Sequence, residues 1–209
     1  MSSRNALTDH LLTPSNCALL VIDYQPPQVN TIRSMAPGEL VANAVALIRT
    51  AKLFSLPIVI TTVNVKNGTN PDTIRQIRDE IPTSTPWIDR TSINAWEDPD
   101  FHQAVVATGR KKLIVAALWT EVCLAFPALD ALAEKFEVYA PVDCVGGTSQ
   151  DAHNAGLQRI VQAGARPVSW ISILCELQRD WARTETAEGM VQIGASQGGP
   201  WSTELALKK

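Results

Sequence analysis

Apolar runs alternate with amphipathic stretches along most of the chain. The first run, Cys17-Ala-Leu-Leu-Val-Ile-Asp23, is almost unbroken, the pattern of a strand covered on both faces. From Pro37 to Ser55 the period changes. Leu40, Ala44, Leu47, Ile48 and Ala51 recur at helical spacing, and Pro37 suits the first turn of that helix. Pro57-Ile-Val-Ile-Thr-Thr-Val63 is rich in β-branched residues and reads as a second strand. Asn67-Gly68 marks a loop, residues 71–80 a short polar helix, and Trp87 to Asp89 a short third strand. Asp98-Pro99 predicts a helix capped by Asp98 and stopped at Gly109. Lys112-Leu-Ile-Val-Ala-Ala-Leu118 is the clearest buried strand. Thr120 to Lys135 then reads as a helix, with Val122, Leu124, Phe126, Leu129 and Leu132 facing inward. Phe136 to Val142 is the fifth strand, and Gly146-Gly147-Thr148 turns into a helix ending near Gly164. Arg166 to Ser172 is the sixth strand, and Ile173 to Ala182 the last clear helix. From Gly189 onward the glycines predict a tail that is weakly ordered on its own and available to dock on a neighbouring subunit.

Strand and helix alternating in this way imply parallel pairing with right-handed crossovers. The predicted fold is α/β, a three-layer α/β/α sandwich of six parallel strands. The 209 residues suit one such domain, with a core over about 14–182 and a tail over 183–209. In open parallel sheets ligands bind beyond the carboxyl ends of the strands, where the strand order reverses. Asp23 closes the first strand, and Cys123 follows the fourth. If the order is 3-2-1-4-5-6, these strands are neighbours at the switch point, and Asp23 and Cys123 would then face each other across one crevice.

That placement suggests a nucleophile. A thiol near a helix N-terminus feels the positive end of the dipole, which favours thiolate. Backbone N–H groups at the same turn can hold an oxyanion, and a nearby carboxylate can take the thiol proton. A carboxylate beside a thiol also opposes thiolate, so a cation is needed. Arg90 is the first candidate and Lys66 the second. The competing readings are a buried core cysteine, a loop-capping carboxylate and a solvated arginine.

Composition narrows the class. The chain is 45% hydrophobic and 19% charged, with a formal net charge of -3. That is an ordinary globular balance without the basic footprint of a nucleic-acid binder. No apolar run reaches the roughly 18 residues of a membrane span. The N-terminus lacks the apolar core of a signal peptide, which predicts a cytoplasmic protein. Cys17, Cys123, Cys144 and Cys175 are widely spaced with no CxxC pair, so free thiols are expected rather than disulfides or a zinc site. A nucleotide-dependent enzyme needs a glycine-rich turn after the first strand, and Tyr24-Gln25-Pro26-Pro27 offers none.

Val-Ile-Asp23-Tyr-Gln25, Ile-Asn94-Ala-Trp96 and Thr120-Glu121-Val-Cys123 together resemble the isochorismatase-like cysteine hydrolase superfamily, in particular its YcaC-type subgroup. Supporting stretches include Phe54-Ser-Leu-Pro-Ile-Val, Phe126-Pro-Ala-Leu and Gln162-Ala-Gly-Ala. The resemblance implies the order 3-2-1-4-5-6 and an Asp-Lys-Cys triad. Asp23 and Cys123 match its ends, and Arg90 stands where the lysine belongs. This is a departure, because arginine does not readily give up a proton. The resemblance also implies a cis peptide between Leu118 and Trp119, and an oxyanion hole made by the N–H groups of Trp119 and Cys123. Nicotinamidases of the superfamily hold a metal through an Asp-x-His motif after the second strand. Thr62-Val-Asn-Val-Lys-Asn-Gly here has no histidine, and His10, His102 and His153 are scattered, so no metal and no cofactor is expected.

The reading that follows is a cysteine hydrolase of a small amide or related C–N bond. Its expected partners are a small-molecule substrate, held by Gln25, Asn94, Trp96 and Trp119, and further copies of the chain in a homo-oligomer, as large as a ring. The alternative is a non-catalytic oligomeric binding or scaffold protein on the same fold.

Overall fold

The computed structural model describes residues 4–197 and residue 204. Six strands form one parallel sheet: β1 (Cys17–Ile22), β2 (Ile58–Val63), β3 (Trp87–Arg90), β4 (Lys112–Ala117), β5 (Glu137–Pro141) and β6 (Arg166–Val168). The order is β3-β2-β1-β4-β5-β6. β1 and β4 lie side by side, Ile22 opposite Ala117, so the switch point falls between them.

The unbroken apolar runs have a direct cause. In β1, Cys17, Leu19 and Val21 face one hydrophobic cluster, while Ala18, Leu20 and Ile22 face another. β4 divides in the same way, with Ile114 and Ala116 on the first side and Leu113, Val115 and Ala117 on the second. The first layer contains α2 (Pro37–Leu53), α7 (Trp170–Gln178) and α8 (Thr184–Ser196); the second contains α4 (Pro99–Ala107), α5 (Ala125–Ala133) and α6 (Gln150–Gln162). Asp98 caps α4 by accepting a hydrogen bond from Phe101 N at 3.0 Å, with Pro99 in the first turn.

Three expectations are corrected, and one short helix is added. The sixth strand ends at Val168, not Ser172, because Ser169 and Ser172 form a reciprocal capping box that starts α7. Pro26-Pro27 opens a further short helix, α1 (Pro26–Asn30), which the pattern did not predict. The polar helix within 71–80 shrinks to α3 (Arg75–Arg78). The tail is ordered as far as Ser196: α8 buries Met190 and Ile193 against the first cluster. Gly189 permits this approach, since a Cβ there would lie 2.6 Å from Leu53 Cδ1. Gly198, Gly199, Pro200 and Trp201 lie outside the described residues.

Candidate active site

β1 runs into Asp23, one residue past its end, whose backbone turns into the left-handed region at φ 60°, a conformation that aspartate tolerates better than most residues. The turn leaves the carboxylate fully buried at the carboxyl edge of the sheet. Arg90, the last residue of β3, reaches it across the end of β2. Nη1 donates to Asp23 Oδ1 and Nη2 to Oδ2, both at 2.7 Å, and Nη1 also donates to Thr62 O at 3.0 Å. Nη2 touches Ile93 O at 3.3 Å. Both side chains have no exposure, so this is a dry, two-pronged ion pair. Burial alone would lower the Arg90 guanidinium, but the hydrogen bonds and charge of Asp23 outweigh it and raise it. Arg90 is a fixed cation.

Cys123 arrives from β4. The peptide bond between Leu118 and Trp119 is cis. The next segment departs from the expected helix: Thr120–Leu124 is a π turn, in which Leu124 N donates to Trp119 O at 3.1 Å. The α-helix begins only at Ala125. Pro127 supplies the reason. Proline fits the first helical turn but not the interior, so a regular helix cannot run through it from Thr120. Single π turns are frequent at functional sites, and this one presents Cys123 beside Asp23 ahead of α5.

The thiol is not held as thiolate. Burial raises the Cys123 pKa most, and the charge and hydrogen bond of Asp23 raise it further. Arg90 and a backbone hydrogen bond from Trp119 pull the other way without prevailing. The expectation that dipole and cation would favour thiolate is therefore reversed, because desolvation dominates at a cysteine only 6% exposed.

All four residues expected at the substrate have side-chain polar atoms committed elsewhere. Gln25 is fully buried. It donates to Val63 O and Pro71 O and accepts from Val63 N, clamping the loop after β2. Asn94 accepts from Trp96 N and donates to Asp130 Oδ2 at 2.6 Å. Trp96 donates to Glu134 Oε1 and packs edge-on against Phe101 and Phe136 in the second core. These last two tie a 3₁₀ turn, Ala95–Glu97, to α5. Trp119 stays at the site through its backbone, while its indole N–H anchors to Gln28 O and Thr31 Oγ1. Lys66 is exposed, and its backbone N–H donates to Asp89 Oδ2.

Asp89 and His153 were missed by the sequence reading. Asp89 accepts from Thr62 Oγ1, Val65 N and Lys66 N and shapes the loop beside Arg90. Its adjacency to Arg90 at a strand end was the only available signal. His153 touches the Thr120–Leu124 turn from α6, and nothing in the sequence linked it to residue 120. Among the described residues, no group of three or more His, Cys, Asp or Glu is placed to hold a metal. No helix among them is long and apolar enough to cross a membrane.

Comparison with known proteins agrees with this geometry. The isochorismatase domain model matches residues 17–172. The probable hydrolase YcaC of Escherichia coli is 39% identical over 171 residues, covering 81% of each chain. The crystal structure of YcaC from Pseudomonas aeruginosa, with hexane-2,5-diol and covalent acrylamide, superposes with a TM-score of 0.89 at 34% identity, over 96% of this chain and 98% of that one. The E. coli YcaC structure, described as an octameric hydrolase of unknown specificity, gives 0.88 at 33%, over 96% and 97%. With its parallel sheet in the order 3-2-1-4-5-6 and a match over most of its length, the chain belongs to the isochorismatase-like hydrolase family.

Proposed function

We propose that the chain is a cysteine-dependent hydrolase of small amide-type C–N bonds, working through a Cys123 thioester. The observation that carries this reading is the Cys123 thiol set against a buried Asp23 carboxylate held from behind by Arg90.

In the resting site the thiol keeps its proton. As the sulfur attacks the substrate carbonyl, that proton passes to Asp23. The new oxyanion is held by the N–H groups of Trp119 and Cys123, which need no reorganisation at the moment of reaction. Collapse of the tetrahedral intermediate breaks the C–N bond, and the amine leaves with the proton from Asp23. Water then attacks the thioester, giving a proton to Asp23. The carboxylic acid product departs, and Asp23 returns the proton to the sulfur. One mobile proton serves both halves, so Arg90 is not required to shuttle one. Its role is to orient Asp23 and to offset negative charge. The covalent acrylamide in the P. aeruginosa relative favours a reactive nucleophile in the same family. The octamer of the E. coli relative supports a homo-oligomer here, and we assign the protein to the cytoplasm as a small-molecule enzyme.

The test is a panel of small primary amides, ureas and carbamates assayed for ammonia release, with Cys123→Ala as control. Release by the native protein on at least one compound, abolished in Cys123→Ala, is the expected result. If the two proteins cannot be told apart while both bind panel compounds equally, the non-catalytic scaffold reading replaces this one.

A further inference from the structure

Behind the catalytic turn lies a second polar cluster that the proposed chemistry does not use. Thr120, the first residue of the π turn, is fully buried. Its N–H donates to Gly146 O at 2.9 Å, and its hydroxyl lies 2.9 Å from His153 Nδ1. Glu121, the next residue, spends one carboxylate oxygen on Thr148 N and Thr148 Oγ1. Its other oxygen, Oε2, is buried with no hydrogen-bond partner among the described residues. A buried carboxylate oxygen without a donor is costly and needs an explanation.

The glycines around it show how closely the parts are packed. A Cβ on Gly147 would stand 2.7 Å from Glu121 Oε2 and 2.8 Å from His153 Cβ, so carboxylate and histidine crowd the same spot. A Cβ on Gly156 would stand 2.8 Å from Glu121 Cα and 3.0 Å from Glu121 N. α6 therefore lies directly on the backbone of the turn that carries Trp119 and Cys123. His153, half-buried on α6, therefore bears on that backbone through its contact with Thr120.

We propose that His153 is a positioning residue for the Cys123 turn: as neutral imidazole it accepts the Thr120 hydroxyl and fixes the turn, and as imidazolium it turns to Glu121 Oε2 and releases it. This rests on the reading of Cys123 as the nucleophile. The chemistry of the two states is asymmetric. In the neutral tautomer that carries its proton on Nε2, Nδ1 offers a lone pair to the Thr120 hydroxyl. Protonated Nδ1 is a donor, so the buried hydroxyl loses its acceptor while Glu121 gains its missing partner. Of the charged groups among the described residues, Glu121 is the one that bears on His153; burial favours the neutral ring and Glu121 opposes it.

The experiment measures the alkylation rate of Cys123 by acrylamide between about pH 5 and 8, in a Cys175→Ser background that removes the exposed thiol. His153→Leu should slow the reaction about three- to tenfold at neutral pH, the effect of one lost hydrogen bond. Thr120→Val should do the same, and the double variant should be no slower than either single one. His153→Asn keeps an acceptor in place of Nδ1 and should react like the native protein at neutral pH. The native rate should drop toward that of His153→Leu at acidic pH, over and above the fall from Cys123 protonation seen in His153→Asn. Equal rates for all five proteins at every pH, each folded by circular dichroism, would overturn the positioning role while leaving the nucleophile intact. An Asn variant as slow as the Leu variant, with no added acid break in the native protein, would overturn it too. A folded native protein whose Cys123 does not react at all, up to alkaline pH, would instead sink the reading of Cys123 on which the inference rests.

Discussion

At the scale of single residues, the site is governed by desolvation. Cys123, Asp23 and Arg90 are all nearly inaccessible, and that decides which charges the protein tolerates. Asp23 sits in two-pronged contact with a guanidinium that cannot be neutralised. Arg90→Met would leave the carboxylate alone in a dry site, and unfolding by urea should show a loss of about 3–5 kcal/mol. Arg90→Lys retains the charge without the two-pronged geometry and should lose less. Because the Cys123 pKa is raised by burial and by Asp23, alkylation of Cys123 should keep accelerating as pH rises beyond 8. A rate that levels off near neutrality would mean a preformed thiolate. His153 adds a pH dependence of stability whose sign can be worked out. Burial lowers its folded pKa, so the unfolded chain binds more protons between the two values. Stability should therefore fall as pH drops below about 6.5 and level off once folded His153 is protonated. The difference between native protein and His153→Asn, measured by urea titration across that window, should isolate this slope.

At the scale of elements, two glycines separate tolerant from intolerant contacts. At Gly156 a methyl group would meet the backbone of the turn that carries Cys123, at Glu121 Cα and N. At Gly189 it would meet only the end of the Leu53 side chain, which can rotate. Alanine gains about 1 kcal/mol of helix propensity over glycine at either site. Gly189→Ala should thus leave the melting temperature nearly unchanged. Gly156→Ala should destabilise by about 1–3 kcal/mol and also slow Cys123 alkylation, because the turn itself must shift. The elements also show which local signals were legible. The Asp98-Pro99 cap and the strand at 112–118 followed from nearest neighbours along the chain. Pro127 was an equally local signal against a continuous helix from Thr120. The tail was misread at Gly189 and Gly194 because glycine lowers helix propensity. The structure uses Gly189 to bring α8 close to α2, and tertiary packing overrides propensity there.

At the scale of the whole molecule, several large apolar side chains remain in water: Leu7 at 64%, Ile93 at 66% and Trp181 at 61% exposed. With the octamer of the E. coli relative, they lead us to expect a homo-oligomer. Light scattering on the purified protein should give a mass several times that of the 22.7 kDa protomer; a monomer at micromolar concentration would contradict this. The sequence by itself determined the layered parallel sheet, since strands buried on both faces must be apolar throughout and their crossovers must be helices. It also placed Asp23 and Cys123 at strand ends, which is a local property of the chain. The tertiary structure alone decided which groups meet there. Arg90 reaches Asp23 across 67 positions, and that pairing depends on the register of three strands. The same holds for Gln25, Asn94 and Trp96, whose polar atoms are taken by partners distant in sequence, and for His153 behind the turn. Periodicity reports which face of an element is buried; only the assembled sheet fixes what each buried polar group finds opposite it.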